Sequence, residues 1–386
     1  MTVEILFGAH CTRYPMSGIG RYAYRLGLEL EKRSDVTLNY FSGTKIIERP
    51  DPLLEPVTPV NRNTLKRFIP FKYHVRRLYH RWKDACAQTE FSRLRDEYLF
   101  HEPNYMLGAY QGPSIITVHD LSHIHHPECH PEDRVRFFNE HLPKSIERAC
   151  HILTVSDFVR EELISLLGIP ADKVTTTHNG VDECYHQRDE AQCREALARY
   201  GQTYRRYLLV VGTVEPRKNL RRLINAYLML PKALQQAYPL LLVGGKGWES
   251  PEFYAQLEHL QAAGSLIWPG YVPEADLPVL YAGAKALAFP SIYEGFGLPV
   301  LEAMASGVPV LAAQRSAPAE ILGEAGMLVD TLDEQAMADG LRRMLEDESW
   351  AKQASVSGLL RARQFTWQAC AEVTAGVYRQ QWQRFF

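Results

Sequence analysis

The stretch SIYEGFGLPVLEAMASGVPV, residues 291–310, decides how the rest of this chain is read. It leaves an apolar run, KALAFPS (285–291), that reads as a buried strand. Pro299 suits the first position of a helix, Leu301, Met304 and Ala305 give that helix a short apolar face, and Gly307 suits a left-handed stop. The next apolar run, VPVLAA (308–313), follows at once. Gly295, Phe296, Gly297 and Leu298 are therefore expected at a helix N-terminus, where unpaired N–H groups and the helix dipole attract phosphate. Two glutamates, Glu294 and Glu302, stand eight positions apart around that turn. A carboxylate beside a diphosphate is repelled, so these two are better placed to accept hydrogen bonds from hydroxyls on either side of it: a sugar on one side, a ribose on the other. A nucleotide-sugar carries its parts in that order. A glycine loop with one glutamate in solvent and the other capping the helix is the competing reading of the same letters.

A second loop has matching chemistry. In VVGTVEPRKNLRRLINAY (210–227) a strand runs into Gly212, then a turn carrying Arg217 and Lys218, then a helix. Arg217 offers a fork of donors and Lys218 a point charge, a pair suited to neutralising a diphosphate. Solvated surface charge is the alternative for this loop read by itself.

Working outward, short Val-, Ile- and Leu-rich runs recur: VEILF (3–7), VTLNYF (36–41), SIITVHD (114–120), HILTVS (151–156) and VTTTHNG (174–180). After a polar stretch at 184–202 they resume with YLLVVG (207–212), PLLLVGG (239–245), SLIWPG (265–270), KALAFPS, VPVLAA and GMLVD (326–330). Segments with helical periodicity, such as NLRRLINAYLML (219–230), lie between most of them. This alternation is that of an α/β chain with parallel sheets, and 386 residues suit two domains of roughly 150 residues or more. Two doubly wound, Rossmann-like domains are expected, facing each other across a cleft, with ligands at the carboxyl ends of the strands.

Composition narrows the function less. A net charge of −2 with 23% charged and 46% hydrophobic residues fits a soluble globular protein and gives no sign of a nucleic-acid binder or a disordered chain. MTVEILFGAH has no basic region leading into a long apolar run, and no stretch reaches the ~18 apolar residues of a membrane span, so neither a signal peptide nor a span is expected. The seven cysteines lack C-x-x-C spacing, which points to reduced thiols in a cytoplasm rather than a disulfide framework or zinc ribbon.

EGFGLPVLE, with Glu294 and Glu302, together with VGTVEPRKNL, resembles the retaining glycosyltransferases of the GT-B fold in the large family 4 group. The resemblance runs over nearly the whole chain, through SGIGRY, TVHDLSH, TVSDFVREEL and THNGVD to the C-terminal motifs in family order. Within the group the chain looks most like bacterial mannosyltransferases and D-rhamnosyltransferases of O-antigen and capsule assembly, which use GDP-sugars. The resemblance implies an acceptor-side domain over residues 1–190, a donor-binding domain over 200–369, and a last helix, 370–386, that packs back on the first domain. It makes Arg217 and Lys218 the diphosphate ligands and Glu294 the acceptor of sugar hydroxyls. Amides from Phe296 through Gly297 and Leu298 to Pro299 would lie near sugar and phosphate, and Glu302 would hold the ribose. Base contacts would come from the backbone around Gly270, Tyr271 and Val272. Gly18 and Gly20 would close on the diphosphate, and His119 would reach the donor sugar near its anomeric centre. The implied activity is transfer of a hexose, foremost α-mannose from GDP-mannose, onto a lipid-linked oligosaccharide. No cofactor or metal is expected, and no Asp-x-Asp occurs in the chain. GDP-D-rhamnose or a UDP-sugar is the alternative donor. A nucleotide-sugar 2-epimerase and a non-catalytic assembly partner are the alternatives of other classes.

Three other features carry less. SGIGRYA (17–23) superficially fits a dinucleotide fingerprint, but a loop separates it from the preceding strand and Asp35 comes too early for the ribose acid. HDLSHIHHPECHP (119–131) is rich in histidine without a recognisable metal spacing. Residues 62–83 carry eight basic side chains and no acid, interleaved with apolar ones. Such a segment can lie on an anionic bilayer, placing the protein on the inner face of the cytoplasmic membrane, or pack as a helix on its own domain with a solvated basic face.

Overall fold

A computed structural model describes residues 2–12, 16–43, 45–50, 78, 91, 94 and 97–386. Apart from Leu78, the basic stretch 62–83 lies outside the described residues. The chain forms two compact units, residues 1–179 with 367–386, and residues 180–366.

The first unit is built on seven strands: β1 (Val3–Gly8), β2 (Val36–Phe41), β3 (Ile46–Ile47), β4 (Leu99–Glu102), β5 (Ser114–Val118), β6 (His151–Thr154) and β7 (Val174–Thr176). Their order is β3-β2-β1-β4-β5-β6-β7, parallel throughout except for the antiparallel β3 at one edge. β4, β5 and β6 are buried at every position. This is why they read as continuous apolar runs or escape notice, since a strand covered on both faces shows no alternation. Helices Gly18–Glu31, Glu132–Arg148 and Asp157–Leu167 belong to this unit.

The second unit has β8 (Leu208–Val211), β9 (Leu240–Val243), β10 (Leu266–Gly270), β11 (Ala286–Phe289), β12 (Val310–Ala313) and β13 (Met327–Val329). They form a wholly parallel sheet in the order β10-β9-β8-β11-β12-β13. The reversal of strand order lies between β8 and β11, and a crevice at such a switch point is where open α/β sheets take ligands. One core, including Leu208, Leu223, Ile224, Leu242, Ala288 and Leu341, packs helices on this sheet.

Two expected boundaries move. The division falls after Asn179 rather than near residue 190. The residues between belong to the second unit, because Val181 N–H donates to Phe365 O at 3.2 Å and the rings of Tyr185 and Tyr281 meet edge to face. The polar stretch after residue 184 contains a helix, Glu190–Arg199, opened by a capping box between Asp189 and Gln192. The last helix, Trp367–Phe385, starts a little before residue 370 and joins the first unit. Its Tyr378 hydroxyl meets His101 Nδ1 at 2.5 Å, His101 Nε2 meets the Thr117 hydroxyl at 2.8 Å, and Thr117 meets Tyr22 at 3.0 Å. That buried chain ties the C-terminal helix to β4, β5 and the Gly18–Glu31 helix, with each polar atom answered as burial requires.

Candidate active site

In the second unit the loops after β8 and β11 are fastened together. The backbone N–H of Ile292 donates to Arg217 O at 3.0 Å. Asn219, buried and left-handed at φ 57°, donates from Nδ2 to Pro290 O at 3.2 Å and to Thr331 O at 2.7 Å. A short 3-10 turn, Pro216–Lys218, thus presents its two cations at a fixed place.

Those cations converge on one carboxylate. Arg217 Nη1 donates to Glu294 Oε2 at 2.7 Å and to Tyr293 O at 2.7 Å, and Lys218 Nζ donates to Glu294 Oε1 at 2.5 Å. The other arm of the guanidinium, Nη2, donates to Glu215 Oε1 at 2.9 Å. Lys218 Nζ also lies 5.3 Å from the centre of the Phe289 ring. Burial pushes the Glu294 carboxyl up, but the Arg217 and Lys218 charges outweigh it and hold the group down at about 2. The sequence does not foretell this contact between Glu294 and the two cations. The Glu294 side chain bridges both, since a buried carboxylate takes the nearest positive partners.

Past Glu294 the chain turns through Gly295, Phe296 and Gly297, all buried. Gly297 has φ 104°, and a Cβ there would lie 3.1 Å from Pro318 Cγ, so both backbone and space ask for glycine. It is the N-cap of helix Leu298–Ala305, which has Pro299 in its first turn and no side-chain cap. The Phe296 ring is set edge-on against Phe365. Glu302 lies on this helix and is 4% exposed. Gly212, after β8, runs beneath the Lys218 side chain. Farther along the same edge of the sheet Gly270 ends β10, Tyr271 is 69% exposed with its ring over Gly245, and Val272 is half-buried. Arg217, Lys218 and Glu294 are thus in direct contact, and Gly212 with the Gly295–Pro299 turn lies beside them.

Three residues named from sequence lie in the first unit. His119 follows β5 directly, and its Nε2 meets Pro103 O at 2.7 Å. A carbonyl only accepts, so Nε2 carries the hydrogen and Nδ1 is the lone-pair nitrogen. Burial holds the ring neutral, with its pKa lowered to about 4. Gly18 and Gly20 are not in an open loop: they form the first turn of helix Gly18–Glu31, capped by Ser17, whose hydroxyl accepts from Gly20 N at 3.2 Å. A Cβ on Gly20 would lie 2.5 Å from Cys11 O, so that glycine is explained by close packing.

Sequence reasoning missed Glu215 and Asn219. Both stand in the quoted EPRKN letters, and the signal available was an acid two residues before an arginine in a loop already chosen for its charge.

Residues 198–358 match the family model of glycosyl transferases group 1, and residues 16–183 match that of glycosyltransferase family 4. Along 98% of its length the chain is 38% identical to the whole of O-antigen chain mannosyltransferase B of Escherichia coli. The chain belongs to the group 1, family 4 glycosyltransferases. Solved structures agree on the fold of this glycosyltransferase. WaaG, a glycosyltransferase involved in lipopolysaccharide biosynthesis, superposes with a TM-score of 0.70 at 17% identity, over 97% of this chain and 99% of that one. HepE of Anabaena, solved with UDP and glucose, gives 0.71 at 17% identity, over 98% and 100%. The two parallel, Rossmann-like sheets are those of the GT-B fold.

Proposed function

We propose that this glycosyltransferase moves α-mannose from GDP-mannose onto a lipid-linked oligosaccharide in bacterial O-antigen synthesis, with retention at the anomeric carbon. The observation that carries the transfer chemistry is the joining of Arg217, Lys218 and Glu294 beside an uncapped helix N-terminus at the switch point of a parallel sheet. The mannosyl donor is supported by the likeness to the Escherichia coli O-antigen mannosyltransferase.

In this reading the bond between the anomeric carbon and the diphosphate oxygen breaks with its electron pair going to the diphosphate. Arg217, Lys218 and the N–H groups around Gly297 stabilise that developing charge as fixed positive potential. The acceptor oxygen bonds to the anomeric carbon on the face the diphosphate leaves, and its proton passes to the departing diphosphate. Glu294 shares the two cations with the diphosphate and takes a hydrogen bond from a sugar hydroxyl. Glu302 holds the ribose, and the Gly270–Val272 backbone with the Tyr271 ring meets the base. His119, neutral with a bare Nδ1, accepts a hydroxyl hydrogen bond. Gly18 and Gly20 open a helix whose N-terminus favours an anion. No metal is required, because the cationic side chains do its work. Reaching a lipid-linked acceptor implies peripheral attachment to the inner membrane surface; no helix of the described residues is long and apolar enough to cross a membrane.

Calorimetric titration with GDP, UDP, dTDP and ADP, followed by the sugar nucleotides of the winning base, tests the donor. Selective GDP binding improved by GDP-mannose is the expected result, and preference for another base overturns the mannosyl assignment. Proton NMR of the first-formed product reads retention, and an unchanged rate in EDTA reads metal independence.

A further inference from the structure

Three non-glycine residues among those described have a positive φ, and Tyr105, at 59°, is the aromatic one. A bulky side chain is strained in that left-handed region, where glycine or asparagine is not. Tyr105 is also buried, at 3% exposure. It stands in the turn that leaves β4, within HEPNYM (101–106), and the turn is pinned on both sides. Glu102 Oε1 accepts from the backbone N–H of Asn104 at 3.0 Å, and the Tyr105 N–H donates to Thr117 O, on β5, at 3.1 Å. Two groups of this short segment meet His119, just beyond β5. The Pro103 carbonyl accepts from His119 Nε2 at 2.7 Å, and the Tyr105 ring is set edge to face against the imidazole with centroids 5.4 Å apart. The Tyr22 ring packs on the same imidazole edge to face at 5.0 Å, and Phe138 packs on Tyr105 at 5.1 Å.

Backbone strain persists only where the surrounding contacts over-determine it. Filling the core explains why an aromatic ring is buried here, but not why its backbone is left-handed, since an extended or helical residue fills a core without strain. What the turn achieves is to bring a carbonyl and a ring from one segment onto one imidazole. The carbonyl decides which nitrogen carries the hydrogen, and the rings of Tyr105 and Tyr22 hold the imidazole plane, so Nδ1 is kept as a bare acceptor in one orientation. We propose that Tyr105 is a positioning residue for glycosyl transfer, its strained turn and ring together fixing the tautomer and plane of His119. The proposal rests on the reading in which His119 accepts a hydrogen bond from a donor-sugar hydroxyl, and not on which sugar or base the donor carries.

Two measurements on the full-length protein test it. Nitrogen NMR of His119 should show a protonated Nε2 and a bare Nδ1 in wild type and in Tyr105→Phe, which keeps the ring, and a mixture of tautomers in Tyr105→Asn, which accepts the left-handed φ without it. Release of GDP from GDP-mannose, with an octyl α-mannotrioside as acceptor, should show kcat about tenfold lower in Tyr105→Asn with the donor KM little changed, the pattern of a misplaced group. Added to His119→Ala, Tyr105→Asn should cost nothing further, because a residue that acts through His119 has no effect once His119 is gone. Tyr105→Leu, which keeps apolar bulk, takes the place of Tyr105→Asn if the latter does not fold. A single unchanged tautomer with unchanged kcat, or a loss of equal size in both backgrounds, overturns the proposal. Full turnover in His119→Ala removes His119 from the reaction and this role with it, whereas a slow His119→Ala beside a fully active Tyr105→Asn removes the positioning role alone. Should wild type not turn over GDP-mannose, the donor assignment falls and the tautomer measurement decides the role of Tyr105.

Discussion

Glu294 and Arg217 are joined at 2.7 Å through Oε2 and Nη1, and the bond runs from the loop after β11 to the loop after β8. Strand order brings these loops together, since β8 and β11 are neighbours although 74 residues separate Val211 from Ala286. A charge pair built this way holds the two loops together, and under the proposed function it also presents donors to a leaving group.

Lys218→Ala and Glu294→Ala are each expected to lower turnover at least ~100-fold, as expected for preorganised electrostatic groups. Steady-state release of the nucleoside diphosphate in the presence of acceptor measures it. Activity retained in both variants would contradict the site.

Among the charged side chains of the cluster Glu215 pairs with Arg217, so under the proposed function it would act on the leaving group by aiming the guanidinium. Glu215→Gln keeps a hydrogen-bond acceptor and should cost a few-fold in kcat, whereas Glu215→Ala should cost about tenfold. A merely structural role would lower the melting temperature equally in both variants and leave kcat per folded molecule unchanged.

Gly297→Ala places a Cβ at φ 104° and 3.1 Å from Pro318 Cγ. Strain of this kind costs about 1–3 kcal/mol. Urea unfolding should show that loss, and donor affinity should fall with it because the helix N-terminus shifts. An alanine variant as stable as wild type would show that the turn can be rebuilt.

Acid should destabilise the protein in two stages. Burial lowers His101 to about 3 and His119 to about 4 from an ordinary 6.5, so the unfolded chain binds the extra protons and stability falls as pH drops below about 6.5. Glu294, held near 2 against an ordinary 4.5, adds stability that is present above pH 4.5 and is lost as pH falls toward 2. Denaturant midpoints measured from pH 7 downward should therefore begin to decline before Glu294 titrates. His101→Gln should flatten the upper part of that decline, and an unchanged slope would remove His101 from the account.

Much of this was legible in the letters. The strands β8 to β13 were read because each is a short apolar run with a turn residue after it, and the Pro299 to Gly307 helix because its start and stop residues are local signals. β4 escaped: LFHE is four residues long and half polar, and its place between β1 and β5 depends on contacts far away in sequence.

The sequence by itself determined the α/β class, the glycine turn at a helix N-terminus and the identity of the charged residues, because each rests on residues within a few positions of one another. Only the tertiary structure decided that Glu294 bridges Arg217 and Lys218, that Glu215 pairs with Arg217, and that Tyr105 packs against His119. Those relations depend on which strands become neighbours, and strand order is fixed by packing of the whole unit rather than by any local run.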